Sequence, residues 1–331
     1  MASRRGLLSL PRELRDMIYQ PYLELDDGYA YNGVSGKLRS TSGKPISLDL
    51  MYTCRLINEE MKGLALRSNK ITFATFFSED LDSRARQLHG TMKAAFLLKA
   101  FLLLFTLRFG PACVVADIME KIACKYPQFA KLLEEICAGR YSDTYPFPFP
   151  FGHPSNHFDL DVAQIDNLFW ITALGPPINS SGLVPSMYRD AMDAAFALAA
   201  ERFPYTEYES RYDSTRDPLP DFELLVSTTC EPWAYPTEER IRQVSRLTGT
   251  ERSRDRALTH MTDKRRYRLS AAAAAIEFLH SISKENLLYI RRIVLFEDRL
   301  AFPHQECHAQ GLIPMCQENQ LLRIERRVDL W

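Results

Sequence analysis

The segment from Arg266 to Asp298 constrains the fold more strongly than any other part of this chain. It begins with RYRLS, continues through the alanine-rich stretch AAAAAIEFLHSI and ends in IRRIVLFED, which is rich in β-branched residues. Alanine has the highest helix propensity, whereas β-branched side chains favour strands. We expect a strand, a helix and a second strand, with the length that a parallel crossover needs. The segment therefore predicts an α/β layer.

Neighbouring segments extend this layer into a C-terminal α/β body that covers residues 186–331. The alanine-rich stretch 186–202 predicts a helix, and DFELLVSTT predicts a strand. A short helix near 309–317 and a strand at 321–330 complete the expected body. This alternation of helices and strands resembles that of leucine-rich-repeat proteins, although the sequence has no fixed period that would predict a repeat protein.

The middle of the chain is expected to be helical, so the predicted fold class is α+β, mainly helical. Residues 83–140 form a helical region that is broken at Gly110-Pro111 and again near Pro127. Residues 141–185 follow as a boundary zone, because YPFPFPFGHP and GPPINSSGLVP are too rich in proline for a helix. The length of 331 residues exceeds the usual size of one core, which also favours more than one domain.

The N-terminal stretch LPRELRDMIYQP predicts a helix over residues 11–20. Proline favours the first helical position, and Pro21 is expected to end the helix. Leu14, Met17 and Ile18 then share a narrow apolar face, while the charged residues between them face solvent. Such a short helix is not stable alone, so this face is expected to contact another element or a partner.

The N-terminal module, which spans residues 5–77, is expected to be small and helical, and three further segments belong to it. Residues 26–45 contain four glycines and predict a loop with a weak hairpin. Apolar residues recur every three or four positions over 48–67, which predicts a second helix. The stretch KITFATFF alternates apolar and polar residues and predicts a strand.

The composition favours a globular intracellular protein, either cytoplasmic or nuclear. A net charge of −1 argues against attraction of the whole protein to nucleic acid or to an anionic membrane. The seven cysteines are scattered without a CxxC pair, and the N-terminus lacks the continuous apolar run of a signal peptide, which favours reduced thiols. Lys99 and Arg108 interrupt the most apolar stretch, 94–116, so no membrane span is expected.

Motif searches favour a protein that is not an enzyme and needs no cofactor. The chain has no GxSxG, GxxxxGK[ST], GxGxxG or HExxH motif. One segment carries residue types that bind zinc, although two of these residues are adjacent and the segment is irregular. Packed thiols in a loop are the favoured interpretation, and the weak metal candidates are His304, Cys307, His308 and Cys316.

Residues 240–268 form a basic segment, with ten Lys or Arg against three acidic residues. The segment is either a surface for a client protein or an anion-binding surface, since clustered arginines release counterions from nucleic acid. Only Tyr267 supplies an aromatic ring, so stacking on single strands is poorly supported and nucleic acid is the less favoured partner. The candidate residues are Arg240, Arg252, Arg254, Arg256, Arg265 and Arg266.

The N-terminal motifs resemble those of the F-box-like proteins of fungi. Leu10-Pro11, Leu14 and Ile18 resemble the start of an F-box, a helical module that binds the Skp1 adaptor of cullin-type ubiquitin ligases. The following segment resembles the Thr-Cys-Arg-x-Ile-x-x-Glu helix and the Asn-x-x-x-Phe strand of these proteins. Its matching residues are Thr53, Cys54, Arg55, Ile57, Glu60 (with Glu59 an equally good fit), Asn69 and Phe73. The last 45 residues also resemble the tail of such proteins, more loosely.

The resemblance implies a substrate-recruiting subunit that acts by binding alone. Leu10, Pro11, Leu14 and Ile18 would enter a groove of a Skp1-like adaptor, and the C-terminal body would select an unknown protein client. An alternative also fits the residues. The same apolar face would pack on the second helix against Leu50, Cys54 and Ile57, and the module would then be only a folding element.

Overall fold

The computed structural model describes residues 6–42, 46–137, 185–202, 222–229, 231–246, 266–301 and 305–329. These residues belong to two compact units. The first unit comprises Met1–Asp82, Pro232–Tyr235 and Arg266–Trp331, and the second comprises Ser83–Glu231 and Pro236–Arg265. The two ends of the chain, which the sequence places in separate domains, therefore share one unit. The predicted boundary zone at 141–185 lies almost entirely outside the described residues.

The fold is mixed and mainly helical, with one five-stranded sheet in the described part of the chain. Its helices are α1 (Arg12–Leu23), α2 (Arg55–Met61), α3 (Leu64–Ser68), α4 (Glu79–Phe109), α5 (Ala112–Lys125), α6 (Pro127–Cys137), α7 (Pro185–Arg202), α8 (Phe222–Ser227), α9 (Glu238–Ser245), α10 (Ala271–Ser281), α11 (Lys284–Tyr289) and α12 (Ile313–Glu318). Short 3-10 helices span Leu7–Ser9, Asp49–Tyr52 and Gln305–Leu312.

The sheet belongs to the first unit and joins both ends of the chain. Its strands are β1 (Tyr29–Asn32), β2 (Lys37–Ser40), β3 (Lys70–Ala74), β4 (Arg292–Glu297) and β5 (Arg323–Val328), in the order β2-β1-β3-β4-β5. β1 and β2 form an antiparallel hairpin, and the other neighbours are parallel. Ile71 of β3 aligns with Ile293 of β4, so the N-terminal module and the C-terminal body share one ladder.

Helix α10 covers one face of this sheet. Ile71, Phe73, Ile293 and Leu295 are fully buried on that face and belong to the same core as the alanines of α10. Alanine side chains are short, so the helix backbone lies close to the strands. The Ser270 hydroxyl oxygen accepts a hydrogen bond from the Ala273 amide at 3.0 Å and caps the helix.

The predictions for β3, β5, the hairpin and the long helices are confirmed. β3 and β5 lie within the predicted strands, and the hairpin β1–β2 lies within the predicted loop at 26–45. The helical middle breaks at Pro111 and before Pro127, as proline geometry requires. α7 matches the predicted helix at 186–202.

The prediction of one helix over 48–67 is wrong. The segment contains a 3-10 turn, α2 and α3, and Gly63 separates the two α-helices with a φ of +74°. A side chain at this position would meet the ring of Tyr289, so the break depends on a contact with the C-terminal part of the chain. Periodicity alone does not reveal such a contact.

Three further local predictions are wrong. DFELLVSTT contains the short helix α8, because a short apolar run does not distinguish a strand from a helix. RYRLS forms no strand, since Leu269 makes only an isolated bridge to Phe76, and among the described residues β3 is the nearest strand before β4. α1 continues past Pro21 to Leu23, whose side chain is buried, and the Glu24 amide closes the last turn on the Gln20 carbonyl at 2.9 Å.

The second unit is helical in its described residues, and α4, α5, α6 and α7 supply its main core. Lys99, predicted only as an interruption of an apolar stretch, is 1% exposed within it. Its ammonium group donates to the Asp193 carboxylate at 2.8 Å and to the Thr228 carbonyl at 2.6 Å. The buried charge is therefore paired, as burial requires.

Candidate protein-interaction site

An apolar surface on α1 is exposed to solvent. Leu14, Met17, Ile18 and Tyr22 are 45%, 70%, 42% and 41% exposed, respectively. Leu14, Ile18 and Tyr22 recur every four residues and Met17 follows Leu14 by three, so all four lie on one side of the helix, which we call the outer face of α1. Contiguous exposed apolar side chains mark interaction surfaces more often than scattered ones do.

The opposite side of α1 anchors the helix to its own module. Tyr19 and Leu23 are buried against Ile57 and Met61 of α2. This inner face makes the described contact with the second helix, which the alternative assigns to the face of Leu14 and Ile18. The sequence did not reveal the inner face, since Leu23 lies beyond the predicted end of the helix.

The predicted partner-binding residues separate into exposed and half-buried positions. Pro11 directly precedes α1 and is exposed, as are Leu14 and Ile18. Leu10 is half-buried, and its carbonyl oxygen accepts a hydrogen bond from Arg15. Leu10 therefore helps to fix the start of α1 more than it extends the outer face. Met17, which the sequence places on the same apolar face, is 70% exposed, and Tyr22 is the residue that the structure adds to this face.

A buried carboxylate fixes the rotation of α1 on α2. Arg15 Nε donates to Glu60 Oε2 at 2.9 Å, and Arg15 also pairs with the second carboxylate oxygen. The Tyr19 hydroxyl donates to Oε2 at 2.9 Å, and Arg12 lies 3.2 Å from Oε1. These contacts, with that of Arg15 the largest, lower the pKa of Glu60 from 4.5 to about 2.

Of the adjacent Glu59 and Glu60, Glu60 is the one that contacts α1. Glu59 is exposed, and its closest described cation is Arg55 at 4.0 Å. The expectation that Arg15 faces only solvent is wrong, and the Glu60 side chain that it pairs with is also largely buried. The side chains of Glu60 and Arg15 are 8% and 12% exposed, because α1 and α2 pack together at this point.

Asn69 connects the end of α1 to the start of the sheet. Its amide nitrogen donates to the carbonyl oxygens of Leu23 and Ala65 at 2.8 and 2.9 Å, and its amide oxygen accepts from the Leu25 backbone at 2.8 Å. The residue is 2% exposed. It therefore ties α1 to α3.

Two of the six basic candidates lie in the described residues, and both make local contacts. Arg240 of α9 donates to the Thr229 carbonyl at 3.1 Å. Arg266 lies over the ring of Phe77, 5.2 Å from its centroid. The other four lie outside the described residues, namely Arg252, Arg254, Arg256 and Arg265.

The weak metal candidates do not form a cluster in the described residues. The buried His308 ring lies 2.7 Å from the Ser270 hydroxyl through Nδ1, and Cys307 is buried beside it in sequence. Cys316 is half-buried, and desolvation raises the pKa of its thiol. His304 lies outside the described residues. Among the residues that the structure describes, no group of three His, Cys, Asp or Glu side chains could hold a metal ion.

Neither a family model nor a curated protein nor a solved structure matches this chain. Within the described part of the chain, every helix is too short or too polar to cross a membrane. The outer face of α1 is an exposed apolar surface of the N-terminal module. Its support by Glu60 and Asn69 makes it a rigid surface.

Proposed function

We propose that this chain is a non-enzymatic interaction protein that binds a Skp1-like adaptor through the outer face of α1. In this role it is a substrate-recruiting F-box-like subunit, and the remainder of the chain selects a client. The single observation that carries the proposal is the exposure of Leu14, Met17, Ile18 and Tyr22 on one side of a fixed helix.

The energetic argument depends on the apolar area that remains uncovered in the folded chain. Burying a large apolar side chain completely is worth about 1.5–3 kcal/mol, so each half-exposed residue of this face offers about 1 kcal/mol to a partner. An amphipathic helix that presents residues at three- and four-residue spacing is suited to a complementary groove.

The rigidity of α1 also supports the proposal. Arg15, Tyr19 and Glu60 hold the helix to α2 before any partner binds, and Asn69 holds its C-terminal end. A surface that is already ordered loses less conformational entropy on binding than a mobile segment does. The charged residues Arg12, Glu13 and Asp16 flank this surface and supply a polar rim.

Calorimetry with the purified full chain and a recombinant Skp1-like adaptor tests the proposal. We expect wild type to bind and the double variant Leu14→Glu, Ile18→Glu to bind at least tenfold more weakly, because interfaces lose most energy at central apolar residues. Both side chains are exposed, so the variant is expected to fold normally, as circular dichroism would show.

The matched control places the same two changes at exposed apolar positions away from α1. Val34→Glu with Leu300→Glu adds the same charge at residues that are 76% and 70% exposed. This control is expected to bind like wild type. Failure of wild type to bind the adaptor would overturn the proposal and leave the N-terminal module as a folding element.

A further inference from the structure

The face of the sheet opposite α10 carries a concentration of basic side chains. Successive residues of a strand point to opposite faces, so the register shows which residues share this face. Lys70, Arg292 and Arg323 lie side by side on three neighbouring strands. Arg327 lies on the same face four residues after Arg323 in β5, and Arg39 of β2 lies opposite Ala30 of β1.

We call this surface the basic sheet face, and its only described carboxylate is Glu325. Arg292 lies 3.1 Å and Arg327 2.7 Å from the carboxylate oxygens of Glu325, so this acid already has two cations. No described carboxylate pairs with Lys37, Arg39, Lys70 or Arg323. The basic residues of the face are Lys37, Arg39, Lys70, Arg292, Arg323 and Arg327.

The crowding of basic side chains on this face destabilises the folded chain when no ligand is bound. Like charges directly opposite each other on neighbouring strands destabilise a sheet, and the Lys70–Arg292–Arg323 row places three of them together. Parallel strands usually have both faces covered by apolar contacts. Here Arg292, Arg323 and Arg327 are exposed, and Val294 is buried at the centre of the face. An anionic ligand would remove the repulsion.

The chemistry of the face favours an acidic peptide over a nucleic acid. Phe296 is the only aromatic residue among the described strand residues of this face, whereas single-stranded nucleic acid is usually bound by several stacked rings. Neighbouring strands lie about 5 Å apart and alternate residues of one strand about 7 Å apart, so the backbone positions of these basic residues repeat at those distances. Carboxylates of an extended acidic segment have a similar spacing along their own chain.

We propose that the basic sheet face binds an extended segment of a partner protein that is rich in Asp and Glu. The carboxylates of this segment pair with Arg39, Lys70 and Arg323, which have no carboxylate partner among the described residues. The inference does not depend on adaptor binding, because the outer face of α1 contributes none of these residues. It goes beyond the proposed function by assigning a second surface and the chemistry of its ligand.

Fluorescence anisotropy with the full chain and a labelled ten-residue glutamate peptide tests this inference. We expect the double variant Arg39→Gln, Arg323→Gln to bind the peptide about tenfold more weakly than wild type, and wild-type binding to weaken as salt rises. The fold should be at least as stable in the variant, because the change removes like-charge repulsion. A loss of binding would then not be due to unfolding.

The control variant Arg55→Gln, Lys284→Gln removes the same charge from two residues whose side chains are 94% and 90% exposed outside the sheet. This control should bind the peptide like wild type. The double variant Leu14→Glu, Ile18→Glu should also bind the peptide like wild type, so the peptide result is independent of adaptor binding. Equal weakening by both charge variants would overturn the inference, as would absence of binding by wild type. The assignment to an acidic peptide would be overturned if wild type bound a labelled oligonucleotide more tightly than the glutamate peptide and the double variant Arg39→Gln, Arg323→Gln lost that binding.

Discussion

At the scale of single residues, the carboxylate of Glu60 contacts three side chains of the N-terminal module. It accepts from Arg15 and Tyr19 and lies within ion-pair distance of Arg12. All three partners belong to α1, whereas Glu60 belongs to α2. The carboxylate therefore determines which side of α1 is buried and, as a consequence, which side remains exposed.

The network predicts a pH dependence of stability. The pKa of Glu60 is lowered from 4.5 to about 2 in the folded chain, so its ionised form stabilises the fold above pH 4.5. This contribution is lost as the pH falls from 4.5 towards 2. We expect Glu60→Gln to lower the midpoint of urea unfolding at pH 7, and the difference from wild type to shrink at pH 3 and below.

The exposed neighbour provides the control for this measurement. Glu59→Gln removes the same charge from the same helix without touching the contacts with α1. It is expected to leave the midpoint nearly unchanged at both pH values. A pH-independent difference between Glu60→Gln and wild type would contradict the assignment of the lowered pKa to Glu60.

At the scale of elements, the junction between α2 and α3 ties the N-terminal module to α11. Gly63 has no side chain and faces the ring of Tyr289, while Arg67 lies over the same ring, 4.7 Å from its centroid. Lys62 pairs with Glu285 at 2.8 Å at the same contact. The helix break is therefore set by tertiary contact and not by local propensity alone.

Replacing Gly63 measures this contact. Gly63→Ala is expected to destabilise the fold both by the cost of a positive φ, about 1 kcal/mol, and by the overlap with Tyr289. Gly36→Ala is a matched control, because Gly36 has a φ of +67° and open space around it. In urea unfolding, Gly63→Ala should cost at least about 1 kcal/mol more than Gly36→Ala. Equal losses of unfolding free energy in the two variants would show that the Tyr289 ring moves aside without an energetic cost.

At the scale of the whole molecule, the sheet makes the first unit from distant parts of the chain. β3 from the N-terminal module lies beside β4 from the C-terminal body, and α10 covers both strands. β3 thus depends on residues of β4 that follow about 220 positions later, since Ile71 aligns with Ile293. Residues 5–77 are accordingly not expected to fold independently.

A fragment of residues 1–82 tests this dependence. Without α10 and β4, Ile71 and Phe73 would lose the apolar contacts that bury them, so the fragment is expected to be unfolded. Its amide NMR spectrum should have little dispersion, and it should melt without a cooperative transition, in contrast to the full chain. A dispersed spectrum with a cooperative melt would show that the N-terminal module folds alone.

Local features could be predicted where local physics decides them. Proline placed the breaks between α4, α5 and α6, and alternation identified β3. The apolar spacing of Leu14 and Ile18 identified the candidate surface. These predictions needed only backbone sterics and side-chain polarity, which neighbouring residues in the chain determine.

Only the tertiary structure decided how these pieces fit together. It placed β3 beside β4, buried Tyr19 and Leu23, left Leu14 and Ile18 exposed, and paired Glu60 with Arg15. It also aligned Lys70, Arg292 and Arg323 in one row of a sheet. Each of these results depends on contacts between residues far apart in the chain. Neighbouring residues determine the periodicity and polarity of a segment. Which of its two faces becomes buried depends on the element that packs against it.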